Sequence, residues 1–313
     1  MRVLVLGGYG AVGGHLVTHL RRRGDTVVVA GRDPDRAGTV IDLQDPALAA
    51  YRAALPGIDV TVNASGAENP RLAALAGYHG SAFIEISAST AYLRDLAQLK
   101  PQSPVVVEVG LAPGLTNLLA AAVYRTSPGP IDLAVFLGAG EQHGPAAIEW
   151  SYQLLGKRFR DGDENVRNYT QPETFLLPGH RKPRRLYRLD FADQHTLQRD
   201  FDVAVRTFFG LDSRLATTAL AALTWLPGAS KAPRGFHLPG TDQWIVLARG
   251  HDRTTRWARG TSQSRATAII AATAASHALH VPSGTHSLHH ILALTDLPLD
   301  EIELDTRQHR CDP

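Results

Sequence analysis

The residues best placed to do chemistry in this chain begin with a run of glycines. Gly8-Tyr9-Gly10-Ala11-Val12-Gly13 follows an apolar segment, Arg2–Leu6, and opens Ala11–Arg23, whose Val12, Leu16 and Leu20 share one helical stripe. A strand, a glycine turn and a helix in that order form a cradle for a diphosphate. Gly8 is read as the residue that closes the turn. Gly10 lets a pyrophosphate reach the backbone, and Gly13 lets helix pack on strand. The N–H groups at the helix start, with the positive end of the helix dipole, then face the phosphates. A second apolar strand, Thr26–Ala30, runs into Gly31-Arg32-Asp33-Pro34-Asp35-Arg36. Sites for NAD place a carboxylate there to accept from the ribose 2′-hydroxyl. Here glycine holds the position and Arg32 follows. A guanidinium makes paired hydrogen bonds to a 2′-phosphate, and Arg36 can join it. Asp33 would oppose the phosphate unless it turns outward as a cap. The pattern therefore predicts NADP(H) rather than NAD. Asn63-Ala64-Ser65-Gly66, after the fourth strand, is small enough to leave room for the nicotinamide ribose at a strand's carboxyl end.

Proton chemistry needs an ionisable group beside the reacting atom. Glu141-Gln142-His143-Gly144 follows an expected strand, with Glu149 and Tyr152 on the helix after it, so Glu141 and His143 are the first candidates. Asp193-Gln194-His195 supplies the second, His195. The basic run from His180 to Arg185 reads as a solvated loop or, in the sharper reading, as a seat for an anionic substrate. The histidines at 277, 280, 286, 289 and 290 have no carboxylate or thiol at ligand spacing, so no metal site is predicted.

These groups must be held by two kinds of architecture. Through residue 126, short apolar strands alternate with helices: Arg2–Leu6, Thr26–Ala30, Gly38–Leu43, Ile58–Asn63, Ala82–Ile86 and Val105–Val109 as strands. Ala11–Arg23, Pro46–Leu55, Pro70–Tyr78, Thr90–Leu99 and Leu115–Arg125 read as helices. Continuous apolar strands separated by helices predict a parallel sheet covered on both faces. Beyond that point the rhythm changes. Ile131–Leu137 and Gln243–His251 read as strands, and Ala146–Leu155, Ser213–Leu226 and Ser264–Leu279 as helices. Lys157 to His195 reads as antiparallel strands and loops. The fold class expected is α/β, a Rossmann-type parallel sheet with an inserted α+β substrate domain. The Rossmann part covers 1–126 and is completed by 262–313; the substrate domain covers 127–261.

Composition narrows the function classes. The 313 residues are 44% hydrophobic and 20% charged with a formal net charge of +2, too balanced for a nucleic-acid surface. A single cysteine, Cys311, excludes an intrachain disulfide. No apolar stretch is long enough for a membrane span, and Arg2–Leu6 reads as a first strand rather than a secretory signal. The expected setting is cytoplasmic. The expected partner is a small molecule, anionic in the sharper reading, with a homodimer as the assembly allowed and no nucleic acid or membrane.

With these residues in place, the chain resembles the saccharopine dehydrogenase-like NADP-binding family. The resemblance is carried by Gly8–Gly13, Gly31-Arg32, Asp59–Gly66, Phe83-Ile84-Glu85-Ile86-Ser87 and Gly110-Leu111-Ala112-Pro113-Gly114-Leu115-Thr116-Asn117. It covers residues 1–126 well and the rest loosely, and Glu85 stands where that family more often has Asp. It implies a middle substrate domain inserted into the Rossmann unit, a late helix packing back on it, and redox chemistry at a carbon–nitrogen bond of an amino-acid-derived imine. Two other classes remain beside it: a non-catalytic NADP sensor, and an enoyl or carbonyl reductase. Short-chain reductases pair a tyrosine with a lysine four residues on; only four of the 32 basic residues are lysines, and none lies there.

Overall fold

The computed structural model describes residues 1–140, 152–229, 240–298, 302–304 and 309–310. The chain divides into two compact units, 1–114 with 264–296 and 115–263 with 297–313. The expected substrate domain of 127–261 thus gains a helix before it and a tail after it. Helix Thr116–Thr126 packs on the second unit's strands, and short strands near the C-terminus pair there as well.

In the first unit, seven parallel strands form one sheet. They are β1 (Arg2–Leu6), β2 (Thr26–Gly31), β3 (Thr39–Val40), β4 (Val60–Asn63), β5 (Ala82–Glu85), β6 (Pro104–Val107) and, from far along the chain, β15 (Gly284–Ser287). Their spatial order is β15-β6-β5-β4-β1-β2-β3. The first six reproduce the 3-2-1-4-5-6 order of the Rossmann fold, and the strand order reverses between β1 and β4. Val3 through Leu6, Val60, Val62, Phe83, Ile84, Val105 and Val106 are all buried. That explains the unbroken apolar runs: each such side chain contributes about 1.5–3 kcal/mol on leaving water, and a doubly covered sheet leaves no face for polar residues.

Helix Gln263–Ala278 closes this unit. Its alanines allow close packing, and Ala266, Ile270, Ala271 and Ala274 are buried. Arg23 fastens it by donating to Ala272 O (2.9 Å), and Thr267 Oγ1 accepts from the Leu111 amide (3.2 Å). Between β2 and β3 there is only a turn, and the helix expected over Pro46–Leu55 shrinks to Ala49–Ala54.

The second unit holds β7 (Ile131–Leu137), β8 (Arg158–Asp161), β9 (Glu164–Arg167), β10 (Thr170–Phe175), β11 (Arg184–Arg188), β12 (Val205–Leu211), β13 (Gln243–Gly250), β14 (Thr254–Thr261), β16 (Glu303–Leu304) and β17 (His309–Arg310). The large sheet runs β10-β11-β12-β7-β13-β14-β16, with β12 parallel to β7 and the remaining recorded pairs antiparallel; β17 also pairs with β14. β8 and β9 form a separate hairpin. Register puts Phe136, Phe208, Ile245 and Leu247 on one face, in a core cluster with Phe175 and Leu186. Arginines lie over these rings: Arg184 over Phe136, Arg249 over Phe175 and Arg206 over Phe208. Among the described residues, no helix is long and apolar enough to cross a membrane.

Candidate functional site

Both glycine-rich segments singled out in the sequence end strands that flank the reversal between β1 and β4. Crevices outside the carboxyl ends of strands at such a point are where open α/β folds bind ligands. Helix Ala11–Arg22 begins there with Gly10 as N-cap. Gly10 has no side chain to cap the first turn, and no acidic residue lies in that turn. The leading N–H groups and the positive end of the helix are left for an anion.

The glycines divide their work differently from expectation. The left-handed residue that closes the turn is Gly7 (φ 73°), not Gly8. A Cβ on Gly7 would also meet Ala64 O and Ser65 Cα at 2.7 Å, so the turns after β1 and β4 touch here. Gly8 packs under Val29, where a Cβ would come within 3.0 Å of the side chain. Gly13 is the tightest position, because a Cβ there would come within van der Waals radii of the Gly7 carbonyl. Only glycine lets the helix lie this close, as expected for Gly13. Gly10 is less crowded: a Cβ would have the Gly7 carbonyl at 3.2 Å as its one near neighbour.

At the end of β2, the Tyr9 ring lies directly on Gly31, where any Cβ would collide with it. Tyr9 is held by its hydroxyl, which accepts from the Asp33 amide (2.9 Å), and by Arg36, whose guanidinium sits 4.4 Å from the ring centroid and donates to Tyr9 O (2.9 Å). Gly31 therefore has a second reason to be glycine, besides the lack of a ribose-binding carboxylate. Asp33 turns its carboxylate into the local chain, accepting from the Asp35 amide (3.0 Å), so it caps a turn rather than a helix. Arg32 is exposed. Arg36 thus stands over an aromatic ring at the end of β2, with the exposed Arg32 four residues before it.

At the end of β4, Asn63 is buried and organises the turn after it. Its Oδ1 accepts from Ser65 Oγ (2.6 Å), and its Nδ2 donates to Ala67 O (2.9 Å) and to Glu85 Oε2 (2.7 Å). Glu85, the last residue of β5, is only 1% exposed. It also accepts from the Ser87 amide (2.8 Å) and from Tyr92 Oη (3.1 Å). Burial pushes the Glu85 carboxyl up to about 7, against the opposing pull of these three donors, and Glu68 nearby adds to the rise. Tyr92 is raised as well, by burial first and then by Glu85. Ser87 Oγ joins the group to Glu68 (3.1 Å). The sequence reading used Glu85 only as a point of family likeness. Its signal was a carboxylate inside the apolar run Phe83-Ile84-Glu85-Ile86.

The candidates for proton transfer fall elsewhere. Glu141 and His143, with Glu149, lie outside the described residues. His195 belongs to the second unit and sits on helix Ala192–Phe201 rather than in a loop. Its Nε2 pairs with Asp190 Oδ1 (2.6 Å), and its ring meets Phe159 edge-on. Two residues before it, Asp193 is fully buried and accepts from Thr116 Oγ1 (2.6 Å), Thr207 Oγ1 (2.9 Å) and the Gln194 amide (2.7 Å). Burial raises its carboxyl despite these bonds. In the basic run, Arg184 is spent on the fold: it donates to the carbonyls of Leu211 (3.0 Å) and Asp212 (2.6 Å) while stacking on Phe136. Arg181, Lys182 and Arg185 are exposed.

No protein-family model matches the chain, and no curated protein matches it by sequence. Solved structures do show likeness. An amine dehydrogenase from Mycobacterium smegmatis is 11% identical, with 94% of this chain and 96% of that one covered and a TM-score of 0.47. Aspartate semialdehyde dehydrogenase II from Vibrio cholerae is 11% identical over 89% and 98%, TM-score 0.40. A short-chain dehydrogenase/reductase superfamily protein from Agrobacterium tumefaciens, solved with bound NAD, is 23% identical over 34% of this chain, TM-score 0.25. The present chain spans 38% of that protein's length.

Proposed function

We propose that this chain is an NADP(H)-dependent oxidoreductase. The observation that carries the reading is the pairing of two features after the neighbouring strands β1 and β2. One is an uncapped helix start behind a glycine turn. The other is a guanidinium pair, Arg32 and Arg36, where a ribose-binding carboxylate would stand. The residues fit the dinucleotide: Gly7 and Gly13 let the turn and helix pack backbone to backbone, Gly10 and Gly14 are uncrowded, and no side chain hydrogen-bonds the helix start. Gly8, Tyr9, Gly10, Ala11, Val12 and Gly13 would hold the diphosphate side, with Arg32 and Arg36 on the 2′-phosphate. Asn63, Ala64, Ser65 and Gly66 would line the nicotinamide ribose.

When bound, the reduced cofactor supplies a hydride. The protein's own share is orientation, exclusion of water and a proton. The finer reading is action on a carbon–nitrogen bond of an amino-acid-derived substrate, by imine reduction or amine oxidation. Its support is the resemblance of residues 1–126 to saccharopine dehydrogenase-like proteins. Glu141, His143 and His195 are its candidate proton carriers, with cytoplasmic location and homodimeric assembly part of the same reading.

The test has two stages. Nucleotide fluorescence on purified protein reports binding of NADPH against NADH. Oxidation of NADPH is then followed with a panel of small ketones plus ammonia or amines, alongside enoyl and simple carbonyl substrates. Turnover that needs the amine supports the finer reading, and turnover of enones or carbonyls alone replaces it. Tight binding with no turnover across the panel assigns the chain to a sensing role.

A further inference from the structure

Glu85 has no place in the reading above, yet it lies buried at the carboxyl end of β5 and accepts from three separate donors. Its oxygens meet Asn63 from β4, Tyr92 from helix Thr90–Ala97 and the Ser87 amide from the segment after β5. The titratable groups facing it from these surroundings are Tyr92 and Glu68. An ionised carboxylate only accepts hydrogen bonds. Together with Ala67 O (2.9 Å) it obliges Asn63 to present its NH2 to them, which turns the Asn63 carbonyl onto Ser65 Oγ and N. That carbonyl fixes the turn Ala64–Gly66, and the turn rests against Gly7, whose missing Cβ leaves room for it. One line of contact thus runs from a buried acid to the glycine turn.

We propose that Glu85 is a positioning residue of the dinucleotide site: its carboxylate sets the orientation of Asn63 and so pins the Ala64–Gly66 turn against Gly7. Adding a proton to Glu85 removes the charge that strengthens the Asn63 donation, and that proton can be donated to Tyr92 Oη, which accepts as well as donates. Asn63 then keeps Ala67 O (2.9 Å) as its firm inward partner, and the Ala64–Gly66 turn is held less tightly. Cofactor affinity follows the ionised form. Burial has already brought the Glu85 carboxyl up to about 7, so this change falls in an accessible pH range. The proposal rests on the dinucleotide reading, and the experiment separates the two.

Calorimetric titration of NADP+ into the wild-type chain, Glu85→Gln and Tyr92→Phe between pH 5.5 and 8.5 gives three sets of dissociation constants. The ratio of the Glu85→Gln constant to the wild-type constant cancels titration of the ligand's own phosphates. We expect that ratio to rise about tenfold from the low to the high end, a coupling of about 1.4 kcal/mol. Tyr92→Phe deletes one donor to the carboxylate at little cost in packing, so the midpoint should move to higher pH. It keeps the test open if Glu85→Gln does not fold. A flat ratio, or an unmoved midpoint in Tyr92→Phe, overturns the positioning role while the dinucleotide reading stands. A wild-type chain that binds no NADP+ at any pH overturns both.

Discussion

The ring of Tyr9 lies on Gly31 so closely that no other residue could stand at that position without displacing it. The end of β2 is thereby shaped by an aromatic ring and by Arg36 stacked over that ring at 4.4 Å, with Arg32 free to face solvent. On the proposed reading, cofactor preference and local packing meet at the end of β2, and substitutions here separate them.

Arg32→Glu removes a cation and adds a like charge next to the proposed 2′-phosphate. A charge-assisted pair contributes about 1.5–3 kcal/mol. NADPH binding should therefore weaken by roughly 10- to 150-fold, with NADH changed by less than about threefold. Parallel fluorescence titrations check this, and equal losses for both nucleotides would remove Arg32 from the specificity argument.

Gly31→Asp supplies the carboxylate that an NAD site needs, yet its Cβ collides with Tyr9. Alone it should weaken both nucleotides. Combined with Tyr9→Ala, which clears the space, it should favour NADH. If the single variant already switches preference, Tyr9 does not occupy the position in the binding form.

Much of the Rossmann unit was legible because its strands are buried on both faces and read as uninterrupted apolar runs. β1 spans the residues expected, and helix Pro70–Tyr78 does too. The second unit was harder. β14 carries Arg256 and Arg259 in Thr254–Thr261, which masks the strand pattern; Arg259 is partnered by Glu303 across the sheet. Helix Ala192–Phe201 turns Asp193 and Gln194 inward, so the sequence shows no apolar stripe there, and its first residues fall in the stretch expected as strands and loops. β15 joins from a distant part of the chain, and no local signal marks that pairing. In the site, the glycine pattern was plain, but the division of labour between Gly7 and Gly8 depended on backbone angles. The Asn63–Glu85–Tyr92 group depended on contacts across three elements.

Glu85 also makes a prediction about stability. Its folded value of about 7 is raised above the ordinary carboxylate range, so its contribution is greatest below the unfolded value and is lost as pH rises through 7. Between pH 6 and pH 9 that loss should amount to about 1 kcal/mol. Glu85→Gln should flatten this part of the profile in denaturant titrations. A wild-type curve and a variant curve running parallel would show that the buried carboxyl does not titrate there.

In the second unit, Asp193→Ala would strand Thr116 Oγ1, Thr207 Oγ1 and the Gln194 amide in the interior. Unsatisfied buried groups cost about 1–3 kcal/mol each, with partial relaxation. A loss of about 3 kcal/mol is expected, seen as a fall of several degrees in Tm. Asp193→Asn, which keeps an acceptor and the shape, should lose less. Equal losses would place the cost in packing rather than hydrogen bonding.

The central claim is that the first helix start holds a dinucleotide diphosphate and that guanidinium groups select the phosphorylated form. Titration of purified wild-type protein with NADPH and NADH, followed by cofactor fluorescence, tests it most directly. The account predicts saturable binding of NADPH in the micromolar range, at least about tenfold tighter than NADH. Absence of binding to both nucleotides would contradict it, and a preference for NADH would contradict the part assigned to Arg32 and Arg36.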